Sequence, residues 1–299
     1  MSTVLKTTQL TKRFGRITAV NQLDLTIEQG QVYGILGPNG SGKTTTLGMI
    51  LEVVAPTNGD FEWFEGMNNV QARQQIGSIL ETPCFYSYLS AAQNLRIVAH
   101  IKKCDPGRID EILKQVGLFE RRDDKFKTYS LGMKQRLSLA AALLSDPPVL
   151  MLDEPTNGLD PEGIAEVRQL IREIASKGKT IIMASHLLDE VQKVCTHFCI
   201  LRKGVKLHEG SVEDILGETN VVDISAPDLE MLAKEVEGFK GLEKLERDNG
   251  SLKVYLKEGE TSESLNRFCF EQGITLKKLV PQSKSLEQEF LKILKETSE

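Results

Sequence analysis

The stretch Gly37-Pro38-Asn39-Gly40-Ser41-Gly42-Lys43-Thr44 constrains this chain more than any other. Two outer glycines bracket four residues and are followed by a lysine and a hydroxyl, the pattern of a phosphate-binding loop. Residues 31–36 before it read as a strand and residues 45–51 after it as a helix, which is the setting such a loop requires. Glycines let consecutive backbone N–H groups curl into a nest, and the following helix adds its unpaired N-terminal donors and positive dipole end. Lys43 is expected to bridge the outer phosphates as a point charge, and Thr44 to offer a hydroxyl ligand to Mg²⁺. A glycine-rich turn arising by chance is the bland alternative, and any one of these glycines alone would be weak support.

With 299 residues, the chain has room for a large domain and a smaller one. Its formal charge of -5 argues against a broad nucleic-acid surface, so no nucleic-acid partner is expected. No apolar run reaches the roughly 18 residues of a membrane span. Nor does a basic start lead into an apolar stretch and a small-residue cleavage site, so neither a bilayer crossing nor a secretory signal is expected. Cys84, Cys104, Cys195, Cys199 and Cys269 are odd in number and irregularly spaced, which suits a reducing cytosol better than disulfides or a zinc site. Cys195 and Cys199 read as ordinary buried thiols.

Residues 4–10 and 23–27 read as strands. Phe14 between them is either a strand-end core residue or a platform for a flat adenine ring. Asn58-Gly59 is expected to form a turn ahead of a strand at 60–64, with Trp63 packed in the sheet or at its rim. A strand over 75–80 runs into Glu81-Thr82-Pro83, where proline halts a regular ladder and a connector between subdomains is expected. Helices are expected over 90–100 and 109–116. Ser130 is placed to cap the next helix, making its N-terminus a second point where backbone donors meet phosphate. Residues 149–152 are apolar without alternation, as in a central strand covered on both faces.

That strand ends in Asp153-Glu154, an acidic pair that is costly near a core unless a cation or a reacting water compensates. Asp153 is positioned to hold Mg²⁺ directly or through water, and Glu154 to polarise the water that attacks a terminal phosphate. A solvated strand end is the alternative. His186 follows the buried strand expected at 179–185, and strand C-termini are where open α/β sheets put their ligands. It is expected to donate to the terminal phosphate oxygen, against the plainer role of satisfied packing. Strands at 198–201 and 205–208 and a short helix from Ser211 complete a first domain, residues 1–220. Residues 221–299 read as a small α+β domain, with strands near 221–224, 252–256 and 274–276 and helices near 229–236, 265–271 and 286–294.

The loop, residues 149–155, Gly158-Leu159-Asp160-Pro161 and His186, in this order, resemble the ATP-binding subunit of an ABC transporter. The likeness is strongest to the separate-chain type serving ABC-2 exporters, including antibiotic-resistance and lantibiotic-immunity systems. It covers residues 1 to about 220, and the tail around 285–291 looks like the accessory region common in that group. The resemblance implies an α/β fold, a P-loop NTPase of ABC ATPase type with an antiparallel β subdomain, a helical subdomain and a small C-terminal α+β domain. ATP and Mg²⁺ would be held by Phe14, the loop from Gly37 through Thr44 and Thr45, with Thr44 and Asp153 on the metal and Glu154, His186 and Lys43 at the reacting phosphate.

The family's signature sequence, usually LSGGQ, aligns with Tyr129-Ser130-Leu131-Gly132-Met133. Ser130 and Gly132 are kept, while Leu131 and Met133 stand at a glycine and the glutamine position. Glu81 stands where most members carry a glutamine; it can coordinate the metal or accept from its water, and lacks the amide's donor. The resemblance further implies a head-to-tail homodimer, each ATP lying between Lys43, Thr44 and Asp153 of one copy and Ser130 and Gly132 of the other. Asp160 would lie across that interface, and Glu81 with residues 82–89 would pass the movement to a separate transmembrane permease. The expected role is a peripheral ATPase on the cytoplasmic face of the membrane, powering export of a peptide, lipid or drug-like compound. The alternatives are a soluble ABC ATPase of translation or DNA repair, which usually has two cassettes or long coiled-coil insertions, and a regulatory module without turnover, which leaves Glu154 unexplained.

Overall fold

The computed structural model describes residues 2–80, 84–216, 218–248, 250–257, 259–283, 286, 287 and 290. Glu81 and most of the helix expected at 286–294 lie outside the described residues. Two compact units divide the chain, Met1–Val212 and Glu213–Lys292. The first begins β1 (Thr3–Phe14), β2 (Ile17–Glu28), β3 (Val32–Leu36), α1 (Lys43–Ile50), β4 (Asn58–Trp63), α2 (Asn69–Gln74) and β5 (Ile76–Ile79). It continues α3 (Ala91–Lys102), α4 (Ile109–Gln115), α5 (Leu131–Leu143), β6 (Val149–Asp153), α6 (Pro161–Ser176), β7 (Thr180–Ser185), α7 (Leu188–Val194), β8 (His197–Arg202) and β9 (Val205–Ser211).

Apolar patterning explains the two sheets of this unit. Leu23, Leu25 and Ile27 alternate along β2 and are buried, as expected of a strand with one covered face, and Val20 joins them across a shift in the β1/β2 register. The resulting three-stranded antiparallel sheet has the order β2-β1-β4. Asn58-Gly59 lies inside β4 and is not the turn that its residues suggest. The β1/β4 register shifts between Thr8 and Thr11, and Gly59 takes φ +77° there, where a Cβ would stand 2.2 Å from the Gln9 carbonyl oxygen. Glycine here serves an irregularity in the ladder. Trp63 is buried, and its indole N–H donates to the Ile50 carbonyl at 2.8 Å.

By contrast, every residue of β3, β6 and β7 is buried, as continuous apolar runs require when both faces are covered. These strands form the centre of a six-stranded sheet of order β5-β6-β7-β3-β8-β9, parallel except for the β8/β9 hairpin. One face shares a core with the antiparallel sheet, in which Val149, Met151, Ile182 and Ala184 join Leu5, Leu25, Leu47 and Trp63. Cys195 and Cys199 are buried free thiols, and burial pushes the Cys199 thiol up to about 12, out of reach of ordinary oxidation chemistry.

The helical subdomain, α3 to α5, is inserted between β5 and β6. Ser90 closes a capping box at α3: its hydroxyl accepts from Gln93 N at 3.2 Å while the Gln93 side chain accepts from Ser90 N at 2.9 Å. Ser90→Ala is expected to lower stability by about 1 kcal/mol. The check is a shift of the urea midpoint at constant slope.

The second unit holds α8 (Val212–Leu216), which straddles the division, then β10 (Glu218–Ser225), α9 (Leu229–Val236), β11 (Leu242–Asp248), β12 (Ser251–Leu256), α10 (Ser262–Glu271) and β13 (Lys278–Ser283). From β10 onward the element order is β-α-β-β-α-β and the antiparallel sheet runs β11-β12-β10-β13, the split βαβ arrangement. Val222, Ile224, Leu252, Val254 and Leu256 meet Leu232, Val236, Leu265 and Cys269 in a core of its own.

Candidate functional site

The loop between β3 and α1 is shaped by two close approaches that exclude a side chain. A Cβ on Gly42, at φ +107°, would stand 2.4 Å from the Ala19 carbonyl oxygen, and one on Gly37 would stand 2.3 Å from that of Leu201. Beneath the loop, Gly204 N donates to Ser41 O at 2.9 Å and Asn21 N to Gly204 O at 2.8 Å, so the β8/β9 turn braces it. Pro38, Asn39, Gly40 and Thr44 are exposed and Thr45 half-buried. No side chain caps α1 at Gly42, so its first-turn N–H groups remain available to an anion. Ser41 Oγ is buried without a hydrogen-bond partner among the described residues, an unspent donor at a loop shaped for an anion.

Lys43 is 5% exposed and its ammonium faces the loop interior, donating to Gly37 O at 2.7 Å and Pro38 O at 3.3 Å. The same ammonium lies 3.3 Å from Glu154 Oε1. Glu154 Oε2 in turn lies 2.8 Å from His186 Nδ1 and accepts from His186 N at 3.4 Å. Lys43 therefore meets Glu154 and His186, each more than a hundred positions further on, because β6, β7 and β3 are neighbours in the sheet and end on the same side. Glu154 takes a left-handed φ of +47°, uncommon for a non-glycine residue. Hydrogen bonds from Glu154 N to Ala184 O (3.0 Å) and from Asn157 N to Glu154 O (3.1 Å) hold it there. Such strain costs about 1–3 kcal/mol and persists where surrounding structure enforces it.

Asp153, buried at the end of β6, and Thr44, exposed on the first turn of α1, supply a carboxylate and a hydroxyl. Hard oxygen donors of this kind fit magnesium, which is commonly held by one or two protein groups together with substrate phosphates. Phe14 sits at the turn end of the β1/β2 hairpin, 50% exposed, with the Lys12 ammonium 5.0 Å from its ring centre. Its ring is thus outside the core and half exposed.

Ser130, Gly132 and Asp160 belong to a different place from the loop. With Leu131, Arg136 and Gly158 they line a groove of about 470 Å³. Ser130 caps α5 by accepting from Met133 N at 3.2 Å, and Asp160 caps α6 by accepting from Gly163 N at 2.9 Å. Tyr129 anchors the approach, its hydroxyl donating to Arg121 O at 2.6 Å while burial, and secondarily the Asp124 charge, push the phenol up to about 12. Leu131 is 46% exposed at the mouth. Glu81 lies outside the described residues. Two contributors escape motif reading: the Gly204 brace, whose only trace in sequence is a turn glycine, and α7, whose seven residues carry no side-chain cap.

This fold and this loop define an α/β P-loop NTPase of the ATP-binding cassette type. The sequence profile of the ABC transporter family matches residues 20–157. The bacitracin transport ATP-binding protein BcrA of Bacillus licheniformis is 40% identical over 98% of each chain. Among solved structures, cbiO1 from Clostridium perfringens, part of the ABC transporter complex cbiONQ, is 28% identical with a TM-score of 0.66 over 72% of this chain and 91% of that one. A dimeric post-hydrolysis state of the ATP-binding cassette MJ0796 bound to ADP and Pi is 25% identical with a TM-score of 0.62, covering 70% and 98%. The chain belongs to the ATP-binding proteins of ABC transporters, and it is an ATP-binding, ATP-hydrolysing ATPase. No helix among the described residues is long and apolar enough to cross a membrane.

Proposed function

We propose that this chain is the ATPase subunit of an ABC-2 type exporter of the bacitracin and lantibiotic branch, working as a homodimer on a separate transmembrane permease at the cytoplasmic face of the membrane. Supporting the branch are the end-to-end match to a bacitracin transport ATP-binding protein, second unit included, and the Leu131 and Met133 departures in the signature. The observation that carries the chemistry is Glu154 bridging Lys43 and His186. In this reading Glu154 accepts the proton of the attacking water, Lys43 neutralises the outer phosphates, and His186 donates to the terminal phosphate oxygen. Thr44 and Asp153 hold Mg²⁺, which supplies charge neutralisation on the phosphates. Phe14 stacks on the adenine.

The groove at Ser130, Gly132 and Asp160 supports the dimer. It is a second cluster of helix-start donors that shares no lining residue with the phosphate loop, and a head-to-tail partner brings one against the other. ATP between the copies favours the closed pair, and hydrolysis removes the contacts that hold it, a population shift driven by differential phosphate binding. The exposed Tyr86 and Tyr88 after residues 81–83 form the surface offered to the permease.

The test is reconstitution of this chain with its permease in vesicles. ATP-dependent flux of a bacitracin-like peptide out of the compartment that holds the ATPase is expected. Assembly of both proteins with flux indifferent to ATP would overturn the transport role, and binding of ATP without phosphate release would favour a regulatory module.

A further inference from the structure

The site's histidine stands two residues before a short helix that has little of its own to hold it. α7 has seven residues and no side-chain cap, and its start rests on local bonds such as Leu187 N to Ser185 Oγ at 3.0 Å. Its position is imposed from two sides. On one, Val191 packs onto β3, where a Cβ on Gly34 would stand 2.8 Å from Val191 Cγ1. On the other stand two arginines one turn apart on α6. Arg168 pairs with Glu190 through a short hydrogen bond and lies 3.6 Å from Asp189, while Arg172 donates from Nε to the Lys193 carbonyl at 2.9 Å and from Nη2 to the same oxygen at 2.5 Å.

The Arg168–Glu190 pair is unusual for its burial. The Glu190 side chain is 4% exposed and that of Arg168 18%. Arg168 Nε and Glu190 Oε2 are both buried without partners among the described residues. A buried ion pair with unsatisfied atoms is a poor source of stability, since apolar residues of similar volume do as well or better. Where such pairs have a use, the best attested is to fix one arrangement of packed elements over others.

We propose that Arg168 and Glu190 are positioning residues for ATP hydrolysis, holding α7 so that His186 is aimed at Glu154. The links are continuous: Arg168 grips Glu190, Glu190 lies four residues after His186, and His186 Nδ1 stands 2.8 Å from Glu154 Oε2. Arg168 also lies on the helix that Asp160 caps, so the same pair ties the Asp160 groove to the histidine. The proposal rests on the reading of His186 as a residue of the reacting site.

The test is a cycle of four full-length proteins: wild type, His186→Ala, the double variant Arg168→Met/Glu190→Met, and the combination, each measured for ATP turnover and thermal unfolding. The apolar pair is expected to keep the melting temperature within a few degrees, and to lower kcat by about tenfold with KM changed by less than about twofold, as for a misaimed catalytic group. Adding His186→Ala to it is expected to bring kcat to that of His186→Ala and no lower, because both changes remove one interaction. Losses that multiply, or a wild-type kcat in the double variant beside a crippled His186→Ala, would overturn the positioning role while leaving the histidine's role intact. An unaffected His186→Ala would overturn both. Should the double variant fail to fold, Glu190→Gln keeps the shape and one acceptor oxygen; a smaller fall in kcat with the same non-additivity supports the proposal, and a fall that multiplies with that of His186→Ala refutes it.

Discussion

Glu154→Gln is expected to lower steady-state ATP turnover by about 10²–10⁴-fold, the range for loss of a positioned general base, while ATP affinity stays within about threefold of wild type. Glutamine keeps the length of the side chain and one carbonyl oxygen in reach of His186, so the geometry around Nδ1 is preserved. What is lost is a carboxylate able to take a proton. The amide also stops competing for the Lys43 ammonium, now 3.3 Å from Oε1, which leaves that charge wholly to the phosphates. Bound ATP that is not cleaved should then accumulate a two-copy species. Nucleotide titration, single-turnover phosphate release and light scattering on the same preparation check all three statements. Turnover at the wild-type rate would remove Glu154 from the role of base.

Lys43→Ala acts on the other side of the same contact, and its effect falls on binding. Truncating one member of a buried, hydrogen-bonded charge pair costs about 2–5 kcal/mol, which corresponds to an ATP affinity lower by a factor of about 30 or more. The lysine does more than face a ligand: its ammonium also holds Gly37 O and Pro38 O, so the variant removes both bonds, while Pro38 O keeps the one from Ser41 N at 3.1 Å. A fall in stability of about 1–3 kcal/mol is therefore expected beside the loss of affinity. Calorimetric titration at a temperature well below the melting transition separates the two. An unchanged affinity would show that the ammonium does not meet the nucleotide.

The two substitutions probe residues whose proximity no local pattern announces. That residues 37–44 form a phosphate loop was readable because spacing, glycine content and flanking strand and helix patterns are all local properties. The burial of β6 and β7 was readable for a similar reason, since a short apolar run without alternation suits a strand covered on both faces. Asn58-Gly59 misled because the same dipeptide serves a turn or a strand irregularity, and the choice was made by β1, whose register shifts opposite it. Phe14 stood between a core and a surface role until the hairpin left its ring half exposed. Arg168 and Glu190 carried no signal, because a charged residue on an amphipathic helix normally faces water.

The sequence by itself determined the loop, the acidic pair at the end of an apolar strand, the helix cap at Ser130, and a second small α+β unit, since short-range sterics, periodicity and capping need only neighbouring residues. The tertiary structure alone decided that Lys43, Glu154 and His186 share one contact, because that depends on the strand order β6-β7-β3. It decided also that Ser130 and Asp160 line a groove apart from the loop, and that α7 is gripped by the arginines of α6. Each of these is a long-range contact chosen by how whole layers pack, and packing is a property that no single stretch of chain contains.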